Sequence, residues 1–144
     1  AARVDVRIVP DLPDVEVNAA AVELCLTNYV SNAIKYSDPA KGERWAAIEA
    51  AIEGPPGSGC ELVVRVRDNG RGVPTDKRDR LFQRFFRAHD TITGVEGTGL
   101  GLSIVRETVE ALGGRAWAEF LEPMGTGSVF AFALPCRRQD DRGG

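Results

Sequence analysis

Residues 18–37, NAAAVELCLTNYVSNAIKYS, carry the pattern that most constrains the fold. Apolar side chains recur there at three- and four-residue intervals, which predicts a helix with one buried face. Asn18 directly precedes the repeat and is a favoured N-cap residue. The predicted core-facing side chains are Val22, Cys25, Leu26, Tyr29, Val30 and Ala33.

Strand patterns lie on both sides of this helix. Alternation of apolar and polar residues, or short β-rich runs between turn residues, predicts strands at 4–9, 45–52, 61–68, 115–120 and 128–134. Further helices are predicted at 76–86 and 100–112, with a mobile loop at 88–98. Because several strand pairs are joined by short turns, we predict an α+β fold. It is a two-layer α/β sandwich, with a mixed, mostly antiparallel sheet of about five strands and about three helices on one face.

Composition excludes several classes of protein. A length of 144 residues suits one domain, and 43% hydrophobic with 27% charged residues is typical of soluble globular proteins rather than disordered ones. A formal net charge of -3 argues against nucleic acid and anionic membrane as partners. The sequence has no apolar run long enough to span a membrane. The three cysteines, Cys25, Cys60 and Cys136, form no CxxC pair, which favours a reducing compartment.

The polar side of the first helix is a candidate ligand-binding surface. Asn28, Asn32, Lys35 and Tyr36 are spaced so that they share one side of the helix. Asparagine is a poor helix former, so two of them one turn apart in a helix interior need a reason. A carboxamide oxygen suits Mg²⁺ and a lysine suits phosphate. The alternative is an ordinary solvated polar stripe.

Two glycine-containing runs are further candidates. Residues 68–74, DNGRGVP, follow the strand at 61–68, and the glycines permit close approach to a flat ligand beside Asp68. The alternative is a plain strand-exit turn. Residues 97–102, GTGLGL, run into a helix, and exposed N–H groups at a helix N-terminus bind phosphate. A flexible hinge is the alternative there.

An aromatic and basic run precedes the second glycine-containing run. Residues 81–87 read LFQRFFR, and their phenylalanines at helical spacing favour packing in the core or against a lid. Arg84 and Arg87 either reach phosphates or are simply solvated.

Together these runs resemble the motifs of sensor histidine kinases. Residues 28–37 resemble the N box, 68–72 the G1 box, 82–87 the F box and 97–102 the G2 box. Residues 125–130, GTGSVF, resemble the glycine-containing start of the last strand in that family. The resemblance covers residues 4–134, which is nearly the whole chain.

The resemblance implies the Bergerat fold and an ATP-binding catalytic domain with a mobile lid. It implies that Asn32 holds Mg²⁺, that Asn28 and Lys35 contact phosphates, and that Tyr36 flanks the nucleotide. Asp68 is expected to bind the adenine amino group. The other positions assigned to the nucleotide site are Gly70, Gly72, Val73, Gly97, Thr98, Gly99, Leu100, Gly101, Leu102 and Thr126. The residues assigned to catalysis are Asn28, Lys35, Arg84 and Arg87.

The resemblance also indicates a reaction. ATPase relatives carry a glutamate one turn before the Mg²⁺-binding asparagine, and Asn28 occupies that position here. Asparagine cannot act as a base, so transfer to a protein acceptor is favoured over fast hydrolysis. His89 lies in the predicted lid, without the helical context of an acceptor. The expected acceptor is therefore a histidine on a separate dimerisation domain upstream.

The resemblance further implies a setting for the domain. We expect residues 1–136 to be the catalytic domain and 137–144 a flexible tail. The isolated domain is expected to be a cytoplasmic monomer without direct membrane contact. Its parent is expected to be a homodimer that acts indirectly on a response regulator, and a membrane anchor in the parent is compatible with this expectation. Two alternatives are a serine kinase of the anti-sigma-factor type and a non-catalytic nucleotide-binding regulatory module.

Overall fold

A computed structural model describes residues 5–8, 15–35, 42–54, 59–70, 72–73, 75–83, 101–120 and 127–138. The elements in chain order are β1 (Asp5–Ile8), β2 (Val15–Glu16), α1 (Ala19–Lys35), β3 (Trp45–Glu53), β4 (Cys60–Asp68), a 3₁₀ helix (Thr75–Arg80), α2 (Gly101–Ala111), β5 (Arg115–Phe120) and β6 (Ser128–Arg138). The predicted lid at 88–98 lies outside the described residues.

The six strands form one mixed sheet. Their order is β1-β3-β4-β6-β2, with β5 also paired to β6. β1 runs parallel to β3, and the other pairs are antiparallel. The predicted mixed, mostly antiparallel sheet is confirmed. The sixth strand is β2, whose two residues are too few to give an alternating pattern in the sequence.

The helices cover one face of this sheet. Ile48, Val66 and Phe130 are register partners across β3, β4 and β6, so their side chains share one face. The buried residues of α1 recur every fourth position (Ala21, Cys25, Tyr29 and Ala33), and α2 adds Val105 and Val109 to the same core. The helices also pack against each other. The two-layer prediction is therefore confirmed.

Tyr29 fixes α1 over the middle of the sheet. Its side chain is fully buried, and its hydroxyl donates a hydrogen bond to the backbone oxygen of Ala131 at 2.8 Å. Its ring lies against Phe130 and Phe132, with centroids 5.6 and 5.9 Å away. Burial, with a smaller contribution from Cys25, raises the pKa of the hydroxyl far above its usual value. Tyr29 therefore stays a neutral donor and sets the distance between helix and sheet.

The opposite face of the sheet carries a lattice of charged side chains. Arg65 pairs with Glu119 at 3.4 Å, and Arg115 pairs with Glu61 at 3.1 Å. The Trp117 indole N–H donates to Glu119 at 2.8 Å and, with a smaller effect of Arg65, holds the pKa of Glu119 below its usual range. Exposed pairs of this kind contribute about 1 kcal/mol or less each. This lattice keeps the second face polar.

Two elements differ in extent from the sequence expectation. The predicted helix at 76–86 is a 3₁₀ helix that ends at Arg80 and is followed by a turn through Gln83. Residues 75–80, TDKRDR, contain no apolar side chain, so no buried face stabilises a regular α-helix over this segment. β6 continues past Pro135 to Arg138 because its end pairs with β2. The division into domain and tail stays a prediction.

The N-cap prediction for α1 is confirmed. The backbone N–H of Ala21 donates to the Asn18 side-chain oxygen at 3.0 Å, which satisfies one of the unpaired N–H groups of the first turn. Neither described helix is both long enough and apolar enough to cross a bilayer.

Candidate functional site

The candidate site comprises the end of β4 and the contact between α1 and the first residue of α2. Asp68, the last residue of β4, is 6% exposed, although carboxylates are rarely buried in globular proteins. Its Oδ1 accepts the backbone N–H of Gly70 at 2.8 Å, which closes a tight turn. Each carboxylate oxygen can accept more than one hydrogen bond, so a buried carboxylate of this kind can bind a ligand donor in addition to its protein partners.

Asn69 anchors this turn to the neighbouring strand. Its side-chain oxygen accepts the Trp45 N–H at 2.9 Å, and its amide donates to the Glu43 backbone oxygen at 2.8 Å. The backbone N–H of Asn69 also donates a hydrogen bond to the backbone oxygen of Trp45 at 3.4 Å. From the sequence, Asn69 is only a turn residue, because its hydrogen-bond partner Trp45 is 24 residues away in the chain. Asn69 therefore positions Asp68.

Two glycines allow close backbone packing beside Asp68: Gly127 lies against Asp68, and Gly72 lies against Gly127. Gly72 has a φ of +72°, a conformation that favours glycine. Gly127 has a φ of +123°, and a Cβ there would clash with the backbone oxygen of Asp68. Gly72 and Thr126 are predicted site residues, but Gly127 was not predicted. The sequence feature that points to Gly127 is its position in the GTG run at 125–127. Gly127 keeps β6 against the end of β4.

The segment after the turn is tied to the hydrophobic core. Val73 is buried and belongs to the main core cluster, so the turn is tied to the core. Arg78 donates from Nε to the Val73 backbone oxygen at 3.0 Å, and its guanidinium lies 4.0 Å from the centre of the Phe120 ring. Arg78 is a second positioning residue that sequence reasoning missed, since nothing in the TDKRDR run distinguishes it from its basic neighbours.

The polar face of α1 meets the N-terminus of α2. The Asn28 side-chain amide donates to the Leu24 backbone oxygen at 2.8 Å, which fixes the amide plane. A Cβ at Gly101 would lie 3.1 Å from Asn28 Oδ1, so the first residue of α2 packs directly on Asn28. The structure thus brings Gly101, from the described end of the GTGLGL run, against the predicted asparagine face.

Charge at this junction favours an anion. The first N–H groups of a helix have no partner within the helix and carry about half a positive charge between them. The α2 N-terminus faces the site from Gly101, while Leu102 behind it packs against the core. A phosphate placed here would meet donors held by the fold.

The remaining predicted residues are placed as follows. Asn32 is partly exposed one turn beyond Asn28, and Gly70 is buried beside Asp68. Lys35 is exposed at the end of α1, where it borders a shallow groove between α1 and the β1–β3 edge that includes Val6. The predicted residues outside the described part of the chain are Tyr36, Arg84, Arg87, Gly97, Thr98, Gly99, Leu100 and Thr126.

The donors present fit a Mg²⁺ ion that is held mainly by a phosphate ligand. Asn28 Oδ1 points at the positive end of α2, which disfavours a cation beside it. Asn32 offers a neutral amide oxygen on the same helix, open to solvent. Within the described ranges, no three His, Cys, Asp or Glu side chains cluster as a metal cage.

Comparison with known proteins identifies the family. Residues 17–138 match the family model described as "Histidine kinase-, DNA gyrase B-, and HSP90-like ATPase". The chain belongs to this family.

Within this ATPase family, the chain is similar to sensor kinases. It is 35% identical over 142 residues to the sensor protein kinase WalK of Staphylococcus haemolyticus, covering 95% of this chain. It is 40% identical over 115 residues to WalK of Staphylococcus saprophyticus, covering 79% of this chain. The chain spans only 22% and 18% of the lengths of these two relatives.

Solved structures of family members have the same fold. The catalytic domain of the histidine kinase ThkA, in a nucleotide-free form, superposes with a TM-score of 0.63 at 30% identity and covers 92% of this chain and 80% of that one. The mycobacterial sensor histidine kinase MprB gives a TM-score of 0.74 over 94% of this chain and 84% of that one, and its 24% identity shows the fold alone. The resemblance stated from the motifs, a histidine kinase catalytic domain, is confirmed.

Proposed function

We propose that this domain binds Mg²⁺-ATP between α1, the α2 N-terminus and the end of β4. The observation that carries the proposal is Asp68, a buried carboxylate at a strand end, held by Gly70, Asn69 and the close approach of Gly127. A buried carboxylate must be compensated by hydrogen bonds, and the exocyclic amine of adenine is a matching donor. Asp68 then accepts from the adenine amine, directly and through water.

The phosphates lie toward α2 in this proposal. The α2 N-terminus receives them, and Asn28, whose amide is oriented by Leu24, contacts them from α1. Lys35 neutralises phosphate charge from the end of α1. Asn32 holds the Mg²⁺, which neutralises phosphate charge when it is bound. Phosphoryl transfer depends mainly on positioning and charge neutralisation, and these side chains supply both.

The reaction proposed is transfer of the γ-phosphoryl group to a histidine rather than to water. Asn28 stands where hydrolytic relatives carry a glutamate, and a carboxamide cannot take a proton from water. Two observations support transfer to a protein over hydrolysis. One is the asparagine, Asn28, at the α1–α2 contact, and the other is the similarity of the chain to sensor kinases. Arg84 and Arg87 are proposed to assist from the segment that follows the 3₁₀ helix.

The proposed acceptor and partners lie elsewhere in a longer parent protein. The histidine is proposed to sit on a dimerisation domain of that parent, whose phosphorylated form would serve a response regulator. A domain that consumes ATP is proposed to act in the cytoplasm, as a monomer when isolated.

Label transfer tests the proposal. The domain is incubated with γ-labelled ATP, with and without the dimerisation domain of its parent. We expect label only on the added acceptor, in an acid-labile and base-stable form typical of phosphohistidine, and none with the Asp68→Asn variant. Acid-stable label on serine would indicate the anti-sigma-factor type of kinase. Tight ATP binding without any label transfer would indicate a regulatory module instead.

A further inference from the structure

Two cysteines that are 76 positions apart in sequence lie opposite each other in the sheet. Cys60 is the first residue of β4, and its register partner on β6 is Cys136. Directly opposed residues in antiparallel strands have Cα atoms about 4.5 or 5.5 Å apart, and disulfides need roughly 4.4–6.8 Å. Both spacings lie within that window, so the strands already hold the two residues at bonding separation.

The side chains point the same way. Both residues alternate in phase with Leu62 and Leu134, so they lie on the helix-covered face. The Cys60 thiol donates to the backbone oxygen of Cys136, with an Sγ···O distance of 3.1 Å. Cys60 Sγ is thus already placed against the residue that it would bond. Neither residue is in a disulfide in this structure.

The two thiols differ in access, which gives the reaction an order. Cys60 is buried, whereas Cys136 is partly exposed at the rim of the core. An oxidant in solution therefore reaches Cys136 first. The third cysteine, Cys25, is fully buried in α1, and burial raises the pKa of its thiol to about 11, so it serves as an internal negative control.

We propose that Cys60 and Cys136 form an oxidation-sensitive dithiol that low-molecular-weight disulfides, such as oxidised glutathione, convert to a cross-strand disulfide. The Cys136 thiolate attacks the glutathione disulfide, so a mixed disulfide forms and one glutathione thiolate leaves. The Cys60 thiolate then attacks the Cys136 sulfur and expels the second glutathione thiolate. The chain loses two electrons and two protons, and the oxidised glutathione is reduced to two molecules of glutathione.

The bond would stabilise the sheet without touching the candidate nucleotide site. Cys60 lies eight residues from Asp68 along β4, which is about 27 Å in an extended strand. Joining positions 60 and 136 closes a long loop in the unfolded chain and so lowers its conformational entropy. The expected signature is therefore higher thermal stability, a readout that does not depend on the proposed kinase function.

Peptide mapping tests the proposal directly. The folded full chain is incubated with oxidised glutathione, alkylated under denaturing conditions and digested without reduction. We expect one intramolecular link between the Cys60 and Cys136 peptides, with Cys25 alkylated, and a melting temperature raised by roughly 5 °C or more and restored by dithiothreitol. The Cys25→Ser variant is the matched control and must form the same link.

Two cysteine variants test whether Cys136 reacts with oxidised glutathione before Cys60 does. Cys60→Ser must stop at a glutathione adduct on Cys136, and Cys136→Ser must leave Cys60 unmodified while the chain is folded. In the unmutated chain, a lasting glutathione adduct on Cys136, a link that includes Cys25, or only links between chains would overturn the proposal. Because these outcomes are read from the unmutated chain, poor folding of either variant leaves the test intact.

Discussion

Substitution of Gly127 by alanine tests how the end of β4 is held. A Cβ at this position would clash with the backbone oxygen of Asp68 and would lie 3.3 Å from the Cα of Asn69. The φ of Gly127 is +123°, which side chains rarely adopt. Because the clashing atom belongs to the backbone, no rotation of a side chain relieves it. The two strand ends must separate instead.

The expected loss of stability has two parts. The unfavourable φ costs about 1–2 kcal/mol. Displacing packed backbone to admit the methyl group costs about 1–3 kcal/mol more. Gly127→Ala should therefore lower the free energy of unfolding by about 2–5 kcal/mol. Gly59→Ala is the matched control, because Gly59 also has a positive φ of +46° but a Cβ there meets nothing within 4 Å. It should cost about 1 kcal/mol.

Urea unfolding and ATP calorimetry measure both variants. Loss of a hydrogen bond to a charged group costs about 1.5–3 kcal/mol, which is roughly a 10- to 100-fold loss of affinity, so Gly127→Ala should bind ATP more weakly by about that factor. Gly59→Ala should bind as the unmutated chain does. Equal stability of the two alanine variants, with equal ATP affinity, would refute the claim that Gly127 positions Asp68.

Three further predictions concern single side chains. Asp68→Asn should remove most of the ATP affinity measured by calorimetry while the fold survives. The control Asp79→Asn, at an exposed position in the 3₁₀ helix, should bind ATP as the unmutated chain does. Unchanged binding in Asp68→Asn would contradict the adenine role of Asp68. Asn32→Ala should abolish the gain in ATP affinity that Mg²⁺ gives, whereas the control Thr27→Ala, at an exposed position on α1, should keep it. A gain that persists in Asn32→Ala would show that Asn32 does not bind the Mg²⁺. Tyr29→Phe removes the hydrogen bond to Ala131 but keeps the ring, so the free energy of unfolding should fall by about 1 kcal/mol, and an unchanged urea midpoint would argue against that bond.

The elements with clear periodicity were predictable from the sequence. The spacing of apolar residues in α1 and the alternation in β4 gave both elements within a few residues, because burial on one face imposes those periods. The sequence predicts a helix at 76–86, whereas the structure has a 3₁₀ helix that ends at Arg80, because residues 75–80 offer no apolar face to bury. β2 has only two residues and forms through its pairing with β6.

Contacts distant in sequence could not be predicted. The hydrogen bond between Trp45 and Asn69 depends on the β3–β4 register. The close approach of Gly127 to Asp68 depends on the β4–β6 register. The same register places Cys60 opposite Cys136, although their spacing in sequence suggested no pairing. Motifs therefore indicated which residues form the candidate site, whereas the residues that hold it in place became visible only in the fold.

A crystal structure of the domain with Mg²⁺ and a non-hydrolysable ATP analogue would show where the nucleotide binds. We expect the adenine amine within hydrogen-bonding distance of the Asp68 carboxylate and the phosphates at the α2 N-terminus beside Asn28. An analogue bound elsewhere, or a cleft filled by packed side chains, would contradict this expectation.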